Sequence, residues 1–329
     1  MIGFSLYFDR EFNIEEDLRS YKDFDLLFTS IHYPAGEETF KKFLDLYEAT
    51  KDTGIRICVD LNKEVLKTNP NLLDMDLIIR LDYGFTAKDI GKLSKTNKIS
   101  INASTIDEDF LEDILANGAV KENIIAIHNY YPLEFTGLGP EYFVKRNELF
   151  NALGIELATF IPGNLNLRGP IYKSLPTLEA QRLKNPYLAY IELKRGYGQE
   201  SIILAEGLDE KSLAYIKDFE NKKKITLKVY LEDEYKDITG FKQRDDLSEY
   251  ILRNEREYKK IKANPPQDIK PGDILICNEK AGRYSGEIEI CKKHMGLVDD
   301  RNVIGRVYDD YQQILAYIEG GDEIVFDRG

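Results

Sequence analysis

Stretches such as residues 98–129, KISINASTIDEDFLEDILANGAVKENIIAIHN, decide the fold. A short apolar strand, Lys98–Ala103, is followed by a helix-period segment, Asp107–Asn117, and then by a second apolar strand, Ile124–Asn129. A strand, a helix and another strand within about 30 residues indicate a βαβ unit, in which the two strands run parallel.

The same order recurs about eight times through the first two thirds of the chain. Predicted helices include Glu37–Thr53, Glu141–Leu153 and Asp209–Asn221, and several helices begin at Asp, Thr or Pro and end near Gly. This repetition predicts an α/β fold, a closed (β/α)8 TIM-type barrel, with a doubly wound open sheet as the competing architecture. The other predicted strands are Ile2–Phe8, Leu26–Ile31, Arg56–Leu61, Leu77–Leu81, Glu156–Ile161 and Ser201–Ala205.

The residue pattern changes near Lys222–Lys224. Helix-period segments become sparse after this point, and apolar and polar residues alternate from Ile225 to Leu231, as in a strand. Two domains are therefore predicted in the 329 residues, a barrel over 1–222 and a smaller β-rich domain over 223–329. A charged excursion, for which a helix is predicted, covers Arg244–Lys262. The further predicted strands are Asp273–Asn278, Gly286–Cys291, Val303–Tyr308 and Glu323–Phe326, with turns at Lys270–Asp273 and Gly320–Asp322.

The net charge of −13 argues against a nucleic-acid partner, which would require a basic stripe. The predicted first strand begins at residue 2 without a basic segment or a long apolar run before it, so neither a signal peptide nor a membrane span is expected. Cys58, Cys277 and Cys291 lack CxxC spacing and fall within apolar strand patterns. These observations predict a cytoplasmic protein with buried, reduced thiols.

The carboxyl ends of the strands converge on one mouth of such a barrel. Two carboxylates there can divide acid and base or nucleophile work at a glycosidic bond, while amides bind hydroxyls and tyrosines, in a chain without tryptophan, stack on the ring. The mixture indicates a sugar substrate, although Asp9 or Asp60 alone could equally cap the next helix. The residues at the mouth are Tyr7, Asp9, His32, Tyr33, Asp60, Asn62, Arg80, Asp82, Tyr83, Asn102, Ser104, His128, Asn129, Tyr131, Glu134, Asn164, Arg168, Lys173, Glu179 and Glu206.

The sequence lacks the motifs that are typical of several other reactions catalysed by barrel enzymes. Strand 1 has no HxH pair and no GxGxxG turn after it, and His32 and His128 form no zinc motif. No cofactor is therefore expected. The alternative is a divalent-metal lyase or isomerase, in which Asp60, Asp82 and Asn102 on three consecutive strands bind the cation through oxygen.

The longest loop of the predicted barrel follows strand 7 and contains Gly163, Arg168 and Gly169. Barrels often hold phosphate with the loops after strands 7 and 8. Glycines allow close backbone approach, Arg168 can bind a phosphate through two hydrogen bonds, and Lys173 adds a point charge. The alternative is a packed loop in which Arg168 pairs with one of the many acids.

Taken together, a set of short motifs resembles the bacterial 6-phospho-N-acetylmuramidase family. The resemblance covers nearly the whole chain, in order, and includes both predicted domains. The barrel motifs are Phe28–His32 (FTSIH), Arg80–Phe85 (RLDYGF), Ile101–Thr105 (INAST), Asn129–Pro132 (NYYP), Thr136–Leu138 (TGL), Phe160–Gly163 (FIPG), Arg168–Pro170 (RGP) and Leu175–Glu179 (LPTLE). The motifs of the second domain are Gly272–Asp273 (GD), Asn278–Glu279 (NE), Ala281–Glu287 (AGRYSGE) and Asn302–Arg306 (NVIGR).

The resemblance implies a TIM-type barrel joined to a cyclophilin-like β domain. It also implies a cytoplasmic hydrolase that cleaves the β-1,4 bond of 6-phospho-N-acetylmuramyl-N-acetylglucosamine during cell-wall recycling. An acidic enzyme with such an anionic substrate needs a locally basic mouth, for which Arg80, Arg168, Lys173 and Arg283 are the candidates. A non-catalytic phospho-sugar-binding regulator is the alternative from another class, because a fold does not fix a function.

The chain departs from the family pattern at the mouth. Leu133-Glu134 stands where the family tends to have a basic residue followed by proline, Gln181 replaces a histidine, and Ala205-Glu206-Gly207 replaces a Gly-Asp-Pro pattern. These differences affect the identity of the substrate more than the fold.

Hydrolysis by two acids at the mouth is the hypothesis that follows. Asp82 is the first catalytic candidate, and Glu179, Asp60 and Glu206 compete for the partner role. The segment around Arg283 is expected either to complete the substrate pocket or to serve as a structural lid. The expected substrate-binding residues are Tyr7, His32, Arg80, Tyr83, Asn102, Asn129, Tyr131, Asn164, Arg168, Lys173 and Arg283.

Overall fold

The computed structural model describes residues 1–9, 13–32, 36–255 and 257–329. It contains two compact units, Met1–Asp209 and Glu210–Gly329. The domain boundary expected after residue 222 remains a prediction.

Eight parallel strands close into a barrel in the first unit. Each strand pairs with its neighbours in chain order, and β8 pairs back with β1 where Ile203 lies opposite Gly3. This closure confirms the predicted (β/α)8 barrel and excludes the open sheet. The strands are β1 (Ile2–Ser5), β2 (Leu26–Ser30), β3 (Arg56–Leu61), β4 (Leu77–Leu81), β5 (Lys98–Asn102), β6 (Ile124–Ile127), β7 (Glu156–Ile161) and β8 (Ser201–Leu204).

All eight predicted strands begin at the observed residue, but five of them end one to three residues earlier than predicted. The difference is largest in β1, which ends at Ser5 although apolar residues continue to Phe8. Leu6, Tyr7 and Phe8 are buried, so hydrophobicity extends beyond the hydrogen-bonded ladder into the first loop of the mouth. Apolar patterning therefore locates these strands better than it locates their ends.

Helices connect the strands, and their first turns explain where they begin. Asp107 accepts the N–H of Phe110 at the start of α5, while Thr86 and Asp89 form a reciprocal capping box at the start of α4. The longest described helix, α2, has 14 residues, and no described helix combines the length and apolar character that a membrane crossing requires. The helices of this unit are α1 (Ile14–Ser20), α2 (Glu37–Thr50), α3 (Lys63–Thr68), α4 (Ala87–Leu93), α5 (Glu108–Ala116), α6 (Pro140–Ala152) and α7 (Pro186–Ile191).

The barrel interior is filled by side chains that lie directly beneath the mouth. Phe28 of β2 packs against Phe160 of β7 with ring centroids 5.0 Å apart, and Tyr7 lies 6.3 Å from Phe28. All three rings are at least nine-tenths buried, together with Cys58 and Ile78. The floor of the mouth is therefore a closely packed aromatic layer, which gives polar side chains above it fixed positions.

The second unit is rich in strands, as predicted. Seven strands form one sheet in the order β10-β17-β9-β16-β13-β14-β11, and β12 pairs with β15. The predicted turn at Lys270–Asp273 is present, with Gly272 at φ 89° and the Asp273 N–H donating to the Lys270 carbonyl. The elements are α8 (Glu210–Lys222), β9 (Lys224–Leu231), β10 (Gly240–Lys242), β11 (Ile251–Arg253), β12 (Gln267–Ile269), β13 (Asp273–Cys277), β14 (Ile288–Cys291), β15 (Gly296–Val298), β16 (Arg301–Val307), α9 (Asp309–Gln312) and β17 (Glu323–Asp327).

The helix predicted within Arg244–Lys262 is wrong for the residues that the structure describes there. Residues 244–255 and 257–262 contain one short strand, β11, and no helix, while Arg256 lies outside the described residues. Side-chain pairs hold the segment instead, because Asp246 binds both Arg244 and Arg253 at 2.8 Å. The high density of charge reflects these ion pairs between loop and strand rather than helical spacing.

The three cysteines are buried and reduced, as predicted. Burial raises the pKa of the Cys58 thiol to about 12 and that of Cys291 to about 11. These thiols therefore stay protonated at neutral pH and act as small apolar side chains of the core.

Truncating Phe28 tests the importance of the aromatic layer. Phe28→Ala should lower the free energy of unfolding by about 3–5 kcal/mol, because the side chain is 2% exposed and its removal leaves a cavity. Chemical denaturation followed by circular dichroism measures this. Val144→Ala, at an exposed position of α6, is the control and should change stability by less than about 0.5 kcal/mol. Equal effects of the two substitutions would contradict the packing assigned to Phe28.

Candidate active site

A histidine between two carboxylates forms the centre of the mouth at the ends of β2, β3 and β4. The Nδ1 atom of His32 lies 3.5 Å from Oδ2 of Asp60, and its Nε2 atom lies 3.4 Å from Oδ2 of Asp82. Asp60 belongs to β3, whereas His32 and Asp82 directly follow β2 and β4. Neighbouring parallel strands thus bring together three residues that are 22 or more positions apart in the sequence.

Arg80 of β4 lies beneath this group and is almost fully buried. Its Nε atom lies 3.3 Å from Oδ1 of Asp60, Nη1 donates to the Ile127 carbonyl at 3.0 Å, and Nη2 donates to Oδ1 of Asn129 at 2.6 Å. The guanidinium also lies 5.9 Å from the centre of the Phe28 ring. One buried cation therefore links β3, β4 and β6, and it fixes the orientation of Asp60 and Asn129.

The two carboxylates differ in their electrostatic surroundings. Burial raises the pKa of Asp60, although the charges of Arg80 and His32 act against this effect. The hydrogen bond from His32 lowers the pKa of Asp82, which is the more exposed acid. The same hydrogen bond raises the pKa of His32. Paired acids with pKa values displaced in opposite directions are typical of general acid and base or nucleophile pairs.

The geometry of His32 also bears on the alternative of a divalent cation. One atom each of His32, Asp60 and Asp82 can be chosen so that all three lie within 4.8 Å of one another. However, the two ring nitrogens of His32 face different carboxylates, and the Asp60 carboxylate already faces Arg80. The third oxygen ligand of that hypothesis, Oδ1 of Asn102, accepts the N–H of Ser104 at 2.9 Å. These donors fit ion pairing within the protein better than coordination of one cation.

A second part of the mouth surrounds Arg168, in the loop after β7. Its Nε donates to Oδ2 of Asp9 at 2.7 Å, its Nη1 donates to the Tyr130 hydroxyl at 2.8 Å, and its guanidinium lies 3.5 Å from the centre of the Tyr7 ring. Arg168, Asp9 and Tyr7 border a cavity of about 350 Å³, whose lining also includes Asn166, Tyr172 and Glu206. The positive charge predicted for phosphate binding is present, but Asp9 partly neutralises it.

Glu206, at the end of β8, anchors the loop after β7. Its carboxylate accepts the N–H groups of Arg168 at 2.6 Å, Leu175 at 3.2 Å and Gly163 at 3.4 Å. Burial raises the pKa of Glu206, while the backbone donors act in the opposite direction. Because its oxygens are bound to the backbone, the contacts of Glu206 fit a structural role more closely than proton transfer to a substrate.

Glu179 is the centre of a clamp between the loops that follow β6 and β7. Its carboxylate pairs with Arg182 at 2.6 Å and accepts the N–H groups of Phe135 at 2.9 Å and Gly137 at 2.8 Å. Arg182 also donates to the carbonyls of Tyr131, Leu133, Lys173 and Ser174. These contacts fit an anchor of the two loops, and among the three candidates for the partner role Asp60 is the one whose carboxylate has no such backbone contacts to loops in the described residues.

The other predicted site residues are distributed between both units. Tyr83 is exposed and accepts a hydrogen bond from Asn62, Tyr131 is half-buried, Asn164 is bound to Asp209, and Lys173 is exposed. Arg283 lies in the second unit, where it donates to the Tyr284 hydroxyl and stacks on its ring. Tyr33 lies outside the described residues. Tyr130 and Arg182 contact predicted residues but were not among the mouth residues expected from the sequence, whereas Asp9 was expected at the mouth without an assigned role.

A closed parallel barrel with acids, a histidine and an arginine at its C-terminal mouth defines the class of (β/α)8 barrel proteins that carry their active sites on the strand-to-helix loops. Residues 2–218 match the N-terminal part of 6-phospho-N-acetylmuramidase, and residues 224–327 match the C-terminal part. The chain therefore belongs to the 6-phospho-N-acetylmuramidase family.

Two crystal structures are similar to this chain over almost its whole length. A conserved protein of unknown function from Enterococcus faecalis is 30% identical, with a TM-score of 0.90 over 100% of this chain and 96% of that one. An uncharacterized protein from B. cereus is 24% identical, with a TM-score of 0.80 over 99% of each chain, and this similarity shows the fold alone. No curated protein matches the chain at a significant level.

Replacing Asp82 tests the coupling within the central group. Asp82→Asn should lower the pKa of His32, because the hydrogen bond with Asp82 is the largest cause of its raised value. NMR titration can follow this shift, since the chain has only three histidines. Asp89→Asn, which removes the partner of Lys63 on α4, is the control. An unchanged pKa of His32 in Asp82→Asn would contradict the coupling.

The sign of this coupling also predicts a pH dependence of stability. A histidine with a raised pKa stabilises the fold fully below its unfolded pKa of about 6.5, and the contribution is lost as the pH rises through the folded pKa. The destabilisation of Asp82→Asn relative to the wild type should therefore be largest near about pH 5, where His32 and Asp82 are both charged in the wild type. It should be smaller at alkaline pH. Denaturation of both proteins across this range measures the difference.

Replacing Glu179 tests the clamp. Its ion pair with Arg182 lowers the pKa of Glu179 to about 2, so its stabilising contribution is present above the unfolded pKa of about 4.3 and is lost as the pH falls through about 2. Glu179→Gln should lower the free energy of unfolding at pH 7 by about 1–3 kcal/mol. It should reduce kcat far less than Asp82→Asn does. A large loss of kcat with unchanged stability would return Glu179 to the catalytic candidates.

Proposed function

We propose that this chain hydrolyses the β-1,4 bond of 6-phospho-N-acetylmuramyl-N-acetylglucosamine, with Asp82 and Asp60 as the paired acids. The observation that carries the proposal is the arrangement of these two carboxylates on either side of His32, with pKa values displaced in opposite directions. Membership of the 6-phospho-N-acetylmuramidase family supports the choice of a phosphorylated amino sugar as the substrate.

The two acids have different roles in this proposal. Asp82 is ionised and the more exposed, so it acts on the substrate as the base or the nucleophile. Asp60, whose pKa is raised by burial, supplies the proton for the leaving oxygen and so becomes the carboxylate that faces Arg80 and His32. One oxygen of each carboxylate lies within 4.8 Å of an oxygen of the other, so both acids can face one glycosidic bond.

The charged groups of the substrate require cations in a protein whose net charge is −13. Arg168 is the first candidate for the 6-phosphate, because it borders the cavity and its guanidinium is oriented by Tyr130 and Tyr7. A phosphate oxygen would replace Asp9 as its acceptor, and the exposed Lys173 on the same loop would add charge. The ion pair between Asp9 and Arg168 would then be broken only when the substrate is bound.

The cellular part of the proposal follows from the substrate. A 6-phosphorylated disaccharide is expected where sugars are phosphorylated during uptake, which is the cytoplasmic side of the membrane. We therefore propose a cytoplasmic role in the recycling of cell-wall peptidoglycan.

Product analysis tests the proposed reaction. The purified protein, incubated with the 6-phosphorylated disaccharide, should release two monosaccharides, whereas the unphosphorylated disaccharide should remain intact. Asp82→Asn should reduce kcat by about 10²–10⁴-fold through loss of the base or nucleophile. Glu112→Gln, on the exposed face of α5, is the control and should retain the wild-type rate. Mass spectrometry of the products measures both effects.

Each contrary result has a distinct meaning. Tight binding of the phosphorylated disaccharide without cleavage would indicate the non-catalytic sugar-phosphate binder. Equal cleavage of both disaccharides would contradict the role of Arg168 in phosphate binding. Wild-type turnover in both Asp82→Asn and Asp60→Asn would contradict the assignment of the acids.

A further inference from the structure

Phe135, in the loop between β6 and α6, combines two unfavourable features. Its side chain is 89% exposed, the largest exposed fraction among the large hydrophobic side chains of the described chain. Its φ of 68° lies in the left-handed region, which a bulky side chain rarely adopts. An exposed aromatic ring and a strained backbone both reduce folding stability, so packing does not account for a phenylalanine here.

The clamp centred on Glu179 holds this conformation. The N–H of Phe135 donates to Oε1 of Glu179 at 2.9 Å, and the N–H of Gly137 donates to Oε2 at 2.8 Å. Arg182 pairs with the same carboxylate and donates to the Leu133 carbonyl at 3.1 Å. Charged hydrogen bonds on both sides of residue 135 therefore fix the backbone that carries the exposed ring.

The loop also begins at the proposed active site. Asn129, at its start, accepts the hydrogen bond from Arg80, which pairs with Asp60. Phe135 lies six positions after Asn129 in the same loop at the mouth, so their Cα atoms are at most about 22 Å apart. Leu133, in the same loop, is also exposed and extends the apolar surface.

We propose that the Phe135 ring is a platform on which the leaving sugar, the N-acetylglucosamine unit, stacks. This inference rests on the proposed function and adds a binding residue to it. An exposed aromatic ring matches the apolar face of a pyranose, whose hydroxyls point outward. The adjacent carboxylate of Glu134 disfavours a phosphate here and can accept hydrogen bonds from hydroxyls. The platform therefore suits the uncharged sugar of the disaccharide.

Two substrates distinguish a role of Phe135 in binding the leaving sugar from a role in bond cleavage. The phosphorylated disaccharide carries the leaving sugar, whereas 6-phospho-N-acetylmuramyl fluoride carries the same glycosyl group without it. Phe135→Ala should raise KM for the disaccharide by about tenfold and leave both constants for the fluoride unchanged. Phe135→Tyr should restore the wild-type KM, and Val144→Ala is the control on α6. Unchanged kinetics with both substrates, or equal losses with both, would overturn the proposal.

A glycine at position 135 distinguishes the effect of removing the ring from the effect of the strained backbone. Phe135→Gly relieves the left-handed strain, so it should maintain or raise the melting temperature while raising KM for the disaccharide as Phe135→Ala does. A fall in melting temperature with Phe135→Gly would show that the ring packs in the fold, which contradicts the platform.

A binding measurement keeps the proposal testable if the wild type hydrolyses neither substrate, which would refute the proposed function. The chain has no tryptophan, so Phe135→Trp introduces one tryptophan at the platform, whose emission can be separated from that of the 21 tyrosines by selective excitation. Titration with N-acetylglucosamine and with the disaccharide should change its emission in a saturable way, whereas Val144→Trp should not respond. No response of Phe135→Trp at saturating sugar would overturn the platform independently of turnover.

Discussion

The mouth of this barrel depends on one buried cation, the guanidinium of Arg80. A charge inside a protein must be paired and hydrogen-bonded, and Arg80 meets this requirement with the Asp60 carboxylate, the Ile127 carbonyl and the Asn129 side chain. Its partners come from β3 and β6, so the pairing sets the relative position of those strand ends. Removing any one partner would leave the buried charge of Arg80 with fewer contacts, which would destabilise the fold.

The contacts of the same cation extend to two parts of the mouth. On one side, Asp60 faces His32, which in turn faces the more exposed Asp82. On the other side, Asn129 begins the loop that the Glu179 clamp holds. The acids of the first part lie on strands or directly after them, whereas those of the second part hold loops. This difference separates the acids proposed for catalysis from those that organise the loops.

The sequence predicts the barrel because each strand is a short apolar run of fixed spacing, and all eight starts agree with the structure. It could not choose the partner of Asp82, because Asp60, Glu179 and Glu206 are each acids at or after a strand end. Their differences come from contacts made across the fold, such as the three backbone N–H groups on Glu206 and the pairing of Glu179 with Arg182. The segment from Arg244 to Lys262 was mispredicted for a related reason, since charge density does not show whether charges pair along a helix or between loop and strand.

The sheet topologies of the two units have a consequence for behaviour at high concentration. A closed barrel exposes no strand edge, and both edge strands of the seven-stranded sheet, β10 and β11, have only three residues each. Short edges offer few unpaired backbone groups to a strand from another molecule, which is the usual route to sheet-to-sheet association. These sheets therefore give little opportunity for aggregation through β-strand addition.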